Sequence, residues 1–311
     1  MFGSASKAFF TALAGSRQLQ ALASRYGMRQ PDSFARRFIA GETVEEAIAA
    51  ARAIESAGLT QTLDYLGESV ASMAEADTAT RAYLGVVDSI AKAGIGRNIS
   101  LKLTQLGLTV DRATSVDNLR RVLDAAAAHE FFVRVDMEGS PYTAVTLDIL
   151  ETMHQQGYRN VGAVLQSYLR RSMDDARRLN ALGMRVRLVK GAYQEPKTVA
   201  YQAKAEVDGA FVELMQLLLA EGTYPAIATH DPAMIAATQA FAGQRGVTND
   251  RWEFQMLYGI RRDLQASLVA EGYRMRVYIP FGQEWFPYFM RRLGERPANI
   301  GFVLGSLVRE R

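Results

Sequence analysis

The chain has 311 residues, of which 49% are apolar and 22% are charged, so it can bury a large core and is not a disordered protein. It contains no cysteine, which suits a cytoplasmic protein and excludes disulfides, thiolate metal sites and a cysteine nucleophile. The net charge of +3 does not indicate nucleic-acid binding, and no apolar run reaches the length that spans a membrane.

The first 58 residues are helical in pattern. Alanine-rich segments with apolar residues three and four positions apart cover about 5–25 and 43–57, and Pro31 and Gly41 interrupt them. The first segment is amphipathic and lacks the continuous apolar stretch of a signal peptide. Two placements are open for it: docking to a lipid surface, or packing on the rest of the protein or on another subunit, which we favour.

Short β-rich runs alternate with longer helical patterns through the rest of the chain. The candidate strands are QTLDYL (61–66), NISLKL (98–103), FFVRVD (131–136), VGAVLQ (161–166), RVRLVK (185–190), YPAIAT (224–229), WEFQML (252–257) and RVYIP (276–280). The helical patterns between them include 115–128, 142–156, 172–182, 199–221 and 232–243. Strict alternation implies parallel strands with right-handed crossovers. Eight strands favour a closed (β/α)8 barrel of the TIM type over an open doubly wound sheet, with a helical segment at 1–58 and one barrel at 59–311.

Polar residues stand where the predicted strands end, and in a barrel these ends form the active-site face. The residues read at and near these ends, most of them polar, are Lys102, Asp136, Met137, Glu138, Gln166, Arg187, Lys190, Gly191, Ala192, Tyr193, Thr229, His230, Asp231, Gln255, Leu257 and Tyr278. Simpler explanations exist, because rim lysines and arginines are often only solvated, and Asp231 with Pro232 would cap a helix whatever His230 does. A metal site built from Asp136, Glu138 and His230 is disfavoured, since the chain has only three histidines and no ligand spacing.

The stretch 274–305 carries the most distinctive chemistry of the chain. An aromatic helix follows a β-rich run, and inside it Arg291 and Arg292 are adjacent, with Glu295 one turn later. Two guanidinium groups are costly to bury unless an anion meets them, and their forked donors bind carboxylates in bidentate fashion. Alternatively, both arginines extend to solvent beside Glu295. This helix alone leaves both interpretations open.

Four motifs, RLVKGAY (187–193), ATHD (228–231), EFQMLYG (253–259) and RVYIPFG…YFMRRLGERPAN (276–299), resemble the flavin-dependent proline dehydrogenases in order and spacing. The likeness begins near Leu101, and the chain length resembles that of the monofunctional bacterial form. The resemblance implies a (β/α) barrel that holds FAD, oxidises L-proline to Δ1-pyrroline-5-carboxylate and passes electrons to a membrane quinone. It implies a cytoplasmic protein, and it leaves open peripheral contact with the inner face of the membrane and the oligomeric state.

The resemblance also assigns the substrate end of the site. Arg291 and Arg292 would bind the proline carboxylate, and Lys102 would be a third cation. Tyr278 would pack on the proline ring, and Tyr193 would help to line the same pocket.

The cofactor end follows from the same resemblance. Asp136 and Arg187 would be the catalytic pair, with Asp136 orienting Arg187 against the flavin. The other positions that match flavin contacts are Met137, Gln166, Lys190, Gly191, Ala192, Thr229, His230 and Leu257, with Gln202 and Lys204 near the FAD diphosphate and Glu295 tying the arginine helix to the site. Gln194 departs from the pattern, because many relatives have tryptophan there, and this puts the detail of FAD binding in doubt.

Two other functions are consistent with a barrel of this kind. One is a different flavin oxidoreductase, such as a methylenetetrahydrofolate reductase-like enzyme, which would need a pyridine nucleotide or pterin site that no motif here supports. The other is a non-enzymatic barrel that binds carboxylates as a sensor or scaffold, which predicts no bound flavin.

Overall fold

The computed structural model describes residue 28 and residues 33–295, and for residues 34 and 293–295 it describes the backbone alone. Its strands are β1 (Thr60–Tyr65), β2 (Asn98–Leu101), β3 (Phe132–Val135), β4 (Val161–Gln166), β5 (Val186–Val189), β6 (Ala226–Ala228), β7 (Glu253–Leu257) and β8 (Met275–Phe281). Each strand pairs in parallel with its neighbours in sequence, and β8 pairs with β1 to close a barrel. The predicted closed (β/α)8 barrel is therefore confirmed, and the open sheet is excluded.

The strands form because the barrel wall is buried on both faces, which favours near-continuous apolar runs. β4 is buried at all six positions, and six residues of β8 pair with the whole of β1, from Thr60 opposite Arg276 to Tyr65 opposite Phe281. The predicted strands agree with the observed ones to within two residues at each end.

Helix α1 (Val44–Ser56) precedes β1, after a 3-10 turn at Phe34–Arg37. The helices between successive strands are α2 (Met73–Ala93), α3 (Arg112–Ala127), α4 (Ser140–Gln155), α5 (Ser172–Ala181), α6 (Lys204–Glu221), α7 (Pro232–Arg245) and α8 (Arg262–Ala270), and α9 (Trp285–Glu295) follows β8. Asp231 caps α7 as predicted, because its side chain accepts a hydrogen bond from the first turn and Pro232 follows it. Gly94 ends α2 in the left-handed conformation, at φ +68°. Within the described part of the chain, none of these helices is long and apolar enough to cross a membrane.

The N-terminal region contributes one described helix. The helix predicted over 5–25 lies outside the described residues, whereas the one predicted over 43–57 is α1. A capping box between Thr43 and Glu46 starts α1, and buried Ala47 and Ala51 pack it against β1 and β8. The boundary between a segment at 1–58 and a barrel at 59–311 stays a prediction.

The aromatic helix α9 is held close to the end of β1. Its buried aromatic side chains form a cluster with Phe38, Ile39 and Leu66, separate from the main core. The Trp285 indole donates a hydrogen bond of 3.0 Å to Oε1 of Glu42, which fixes the start of the helix. These contacts hold α9 beside the end of β1.

Candidate active site

A cavity of about 300 Å³ opens at the carboxyl ends of the strands, the face on which barrel enzymes carry their active sites. Most residues predicted for the site line this cavity. They are Lys102, Asp136, Met137, Gln166, Arg187, Lys190, Gly191, Ala192, Tyr193, His230, Leu257, Tyr278, Arg291 and Arg292. Val164, Val189, Ala228 and Met256 add apolar wall between these polar groups. The cavity thus combines an apolar surface with a cluster of cations.

Asp136 is the centre of the polar contacts in the cavity. It follows the last residue of β3, and its Oδ1 lies 2.6 Å from Nη1 of Arg187. Its Oδ2 accepts a hydrogen bond of 2.7 Å from the Tyr278 hydroxyl and lies 3.6 Å from Nζ of Lys102. One carboxylate thus contacts a guanidinium, an ammonium and a phenol from three different strands or strand ends.

Lys102 is buried and remains charged because two carboxylates face it. Its Nζ lies 3.3 Å from Oδ2 of Asp64, which is completely buried on β1. Burial alone would lower the pKa of Lys102, but the charges of Asp64 and Asp136 outweigh that effect and raise the pKa above its usual value. Asp64 was not among the predicted site residues, although an acid in the otherwise apolar end of a predicted strand is a recognisable signal.

Arg187 is held by three acceptors and is only 4% exposed. Besides its contact with Asp136, Nε donates to Oε1 of Gln255 at 2.6 Å and Nη2 donates to Oγ of Ser100 at 3.0 Å. Its guanidinium carbon lies 5.3 Å from the centroid of the Tyr278 ring, a distance typical of a cation–π contact. Ser100 and the supporting role of Gln255 were not predicted.

The two arginines of α9 reach the cavity from above. Nη1 of Arg291 lies 2.5 Å from Oε1 of Glu68, in the loop between β1 and α2. Burial would lower the pKa of Arg291, but the charge of Glu68 outweighs it and raises the pKa. The guanidinium carbon of Arg292 lies 5.2 Å from the centroid of the Tyr288 ring. Both arginines line the cavity, which favours the anion-binding interpretation over simple extension to solvent.

A second cavity of about 400 Å³ adjoins the first one around Lys190 and His230. Nζ of Lys190 lies 2.5 Å from Asp208 and 2.7 Å from Asp231, and its hydrogen bond lowers the pKa of Asp231. His230 accepts a hydrogen bond of 2.9 Å from the backbone N–H of Leu257 at Nε2. The two cavities share Lys190, Ala228 and His230 and are therefore adjacent.

Four predicted residues lie apart from the main cavity or outside the described side chains. Thr229 lines only the second cavity, and Gln202 donates to backbone carbonyls of its own loop. Lys204 pairs with Asp208, a carboxylate that it shares with Lys190, and the side chain of Glu295 lies outside the described residues. The cofactor roles of these four residues stay predictions.

Comparison with known proteins identifies the family. Fold and site define a (β/α)8-barrel protein with a cation-rich cavity at the carboxyl ends of its strands. The profile of the family described as proline dehydrogenase matches residues 47–304. Proline dehydrogenase 1 of Bacillus subtilis (strain 168) is 40% identical over 301 residues, covering 97% of this chain and 98% of that protein. The proline dehydrogenase of Deinococcus radiodurans is 41% identical over 281 residues, or 89% and 91%. The chain belongs to the proline dehydrogenase family, and it is an oxidoreductase of a family that implies a flavin cofactor.

Larger relatives contain the same unit as one part. The bifunctional protein PutA of Escherichia coli (strain K12) is 29% identical over 310 residues, covering 86% of this chain but 23% of that protein. The structure of proline utilization A from Bdellovibrio bacteriovorus, inactivated by N-propargylglycine, superimposes with a TM-score of 0.80 at 29% identity. This chain covers 34% of that structure, so it spans about a third of its length. The predicted resemblance to the monofunctional bacterial type is confirmed, since this chain covers 98% of the Bacillus protein and 91% of the Deinococcus protein.

Proposed function

We propose that the protein oxidises L-proline to Δ1-pyrroline-5-carboxylate with FAD as its cofactor, and that the electrons pass to a membrane quinone. The observation that carries the proposal is the arrangement around Asp136, which brings Arg187, Lys102 and Tyr278 together at the mouth of a barrel of this family.

The cations supply a binding site for the carboxylate of the substrate. Arg291, Arg292 and Lys102 line the same cavity, and guanidinium groups match carboxylates in bidentate geometry. The pairing of Arg291 with the carboxylate of Glu68 supports the proposal, because it is the same kind of bond that the substrate carboxylate would form. A small amino acid would therefore be fixed at one end, with its ring directed at Tyr278.

The residues present also fit FAD. The two cavities share lining residues, and the first has apolar walls that suit a flat ring system. Lys190 lies at the junction of the two cavities and would hold the diphosphate, while Arg187 would face the ring system. FAD, when bound, supplies the hydride acceptor, so the protein contributes orientation and electrostatics.

The charges of the site suit the removal of a hydride from C5 of proline. Hydride loss requires a lone pair on the neighbouring nitrogen, so the amine must be neutral when C5 and nitrogen form their double bond. Positive charges at Lys102, Arg291 and Arg292 disfavour the protonated amine. A fixed carboxylate also places C5 reproducibly, which lowers the entropic cost of the reaction. Arg187 would stabilise negative charge that develops on the cofactor.

A coupled assay tests this proposal. The purified protein is given L-proline and ubiquinone-1, the imine product is trapped with o-aminobenzaldehyde, and the quinone is followed by its absorbance. The proposal predicts equal rates of imine formation and quinone loss. Absence of the trapped imine would contradict the reaction, and imine formation with hydrogen peroxide in place of reduced quinone would contradict the acceptor.

A further inference from the structure

A chain of buried polar side chains runs from below the cavity to Arg187. Arg276 on β8 contacts both carboxylate oxygens of Glu253 on β7, with Nε 2.7 Å from Oε1 and Nη2 3.0 Å from Oε2. Oε1 of Glu253 then accepts a hydrogen bond of 2.5 Å from Nε2 of Gln255. Oε1 of Gln255 in turn accepts the bond of 2.6 Å from Nε of Arg187. Glu253 and Gln255 lie two residues apart on one strand, so their side chains share the inner face of the barrel.

The partners of Gln255 leave its amide only one orientation. Its oxygen faces the Arg187 guanidinium and its NH2 group faces the Glu253 carboxylate. A flipped amide would place a donor against a cation and an acceptor against an anion, in a region where water cannot screen the repulsion. Gln255 and Glu253 are each 3% exposed, so no solvent competes for these bonds.

Glu253 is kept ionised in this position by Arg276. Burial favours the neutral acid, but the charge and hydrogen bonds of Arg276 outweigh burial, and the pKa of Glu253 is lowered. Arg276 also donates to the backbone carbonyl of Gln61 at 2.7 Å, which anchors the pair to β1. The chain therefore begins at a fixed ion pair and ends at the guanidinium that lines the cavity.

We propose that Gln255 and Glu253 are positioning residues for the reaction: they fix the Nε edge of Arg187, so that its remaining N–H groups point at the cofactor. The inference rests on the proposed function for what Arg187 faces. Asp136 and Ser100 hold the two terminal nitrogens, and without Gln255 the guanidinium could rotate about this remaining pair of contacts. Neither positioning residue is required to touch the substrate.

The variant Gln255→Met tests the proposal, because methionine has nearly the same length and leaves the pair of Glu253 with Arg276 intact. Gln61→Met is the matched control, since Gln61 is a buried glutamine on strand β1 whose side chain donates to the backbone carbonyl of Gly96. Three measurements are made on each variant: the 15N NMR signal of the Arg187 Nε–H in the protein without added cofactor, kcat and KM per bound flavin, and the flavin midpoint potential.

We expect Gln255→Met to shift the Nε–H signal and speed its solvent exchange, to lower kcat about tenfold or more with KM within about threefold, and to make the midpoint potential more negative. Gln61→Met should change none of these. An unchanged signal, kcat and potential in Gln255→Met would overturn the inference. If that variant does not fold, Glu253→Gln removes the charge that orients the amide and must show the same changes in smaller degree.

The NMR measurement separates this inference from the proposed function. A shifted Nε–H signal in a protein whose flavin is not reduced by proline would mean that the positioning is real and that the assigned reaction is wrong. Normal reduction of the flavin by proline, with an unaltered Nε–H signal in Gln255→Met, would mean that the reaction is correctly assigned and that Gln255 does not position Arg187.

Discussion

The arginine helix gives the sharpest quantitative prediction, through the substitution Arg291→Met. Methionine keeps an unbranched apolar side chain as far as the position of Nε and removes the guanidinium, so α9 should keep its aromatic packing against Phe38 and Leu66. In the unaltered protein Arg291 contacts Glu68 at 2.5 Å and lines the same cavity as Lys102. The substitution therefore removes one of three cations assigned to the substrate carboxylate.

The size of the effect follows from the bonds that are lost. A charge-assisted hydrogen bond contributes about 1.5–3 kcal/mol, which at about 1.4 kcal/mol per factor of ten corresponds to a roughly 10–150-fold rise in KM. The ion pair with Glu68 is partly exposed, and such pairs are worth about 1 kcal/mol or less, which offsets part of this loss. Because a guanidinium can donate two charge-assisted bonds to one carboxylate, the loss still exceeds the offset. We therefore expect KM for proline to rise at least about tenfold.

Steady-state kinetics with ubiquinone-1 measure this change, and the visible absorbance of the flavin shows whether each variant still holds its cofactor. Arg177→Met is the control, because Arg177 is an ion-paired arginine, 3.1 Å from Asp174 on α5, that does not line the cavity. An Arg291→Met enzyme with full flavin and unchanged KM would refute the assignment of Arg291 to the carboxylate.

Three further predictions concern the cofactor, pH and specificity. Lys190→Met should weaken FAD binding to the apoprotein about tenfold, since only Lys204 would then offset the charges of Asp208 and Asp231 near the diphosphate. Quenching of flavin fluorescence measures this, and an unchanged Kd would remove Lys190 from the site. The raised pKa of Lys102 keeps its charge up to at least about pH 10, so kcat/KM should rise with pH as the amine of proline loses its proton. Asp64→Asn removes one of the charges that raise the pKa of Lys102. In this variant kcat/KM should therefore fall again at high pH, and a pH profile of kcat/KM without this fall would contradict the role of Asp64. The Tyr278 ring packed on proline should disfavour a 4-hydroxyl group, which equal kcat/KM values for proline and 4-hydroxyproline would disprove.

The sequence predicts the barrel well because its signals are local. Each strand is a short apolar run between turn residues, and β4 agrees at both ends with its predicted range. The predicted helices did not single out α2 or α8. α2 carries buried residues at three- and four-residue spacing, among them Tyr83, Val87 and Ile90, so its signal was present in the sequence. α8 is only nine residues long, too short for a clear helical period. Their place between strands follows from the topology, which the local pattern does not contain.

The site is predicted unevenly for a related reason. Strand ends identify Asp136 and Lys102, and Arg187 is a charge within the apolar run of β5. The partners that hold them are harder to find, because which side chains meet depends on strand register across the closed barrel. Asp64 looks like a minor polar interruption of a strand until the barrel brings it within 3.4 Å of Lys102. Gln255 stands out near a strand end, but its contact with Arg187 at 2.6 Å is visible only in the folded barrel.

The most direct test of the central claim is a visible absorption spectrum of the purified protein, recorded under anaerobic conditions before and after addition of L-proline. The account predicts an oxidised flavin spectrum that bleaches when proline is added, because cofactor, substrate and hydride transfer would then be established together. A flavin spectrum that proline leaves unchanged would contradict the assigned substrate. A colourless protein that takes up no added FAD would contradict the assignment of the two cavities to a flavin.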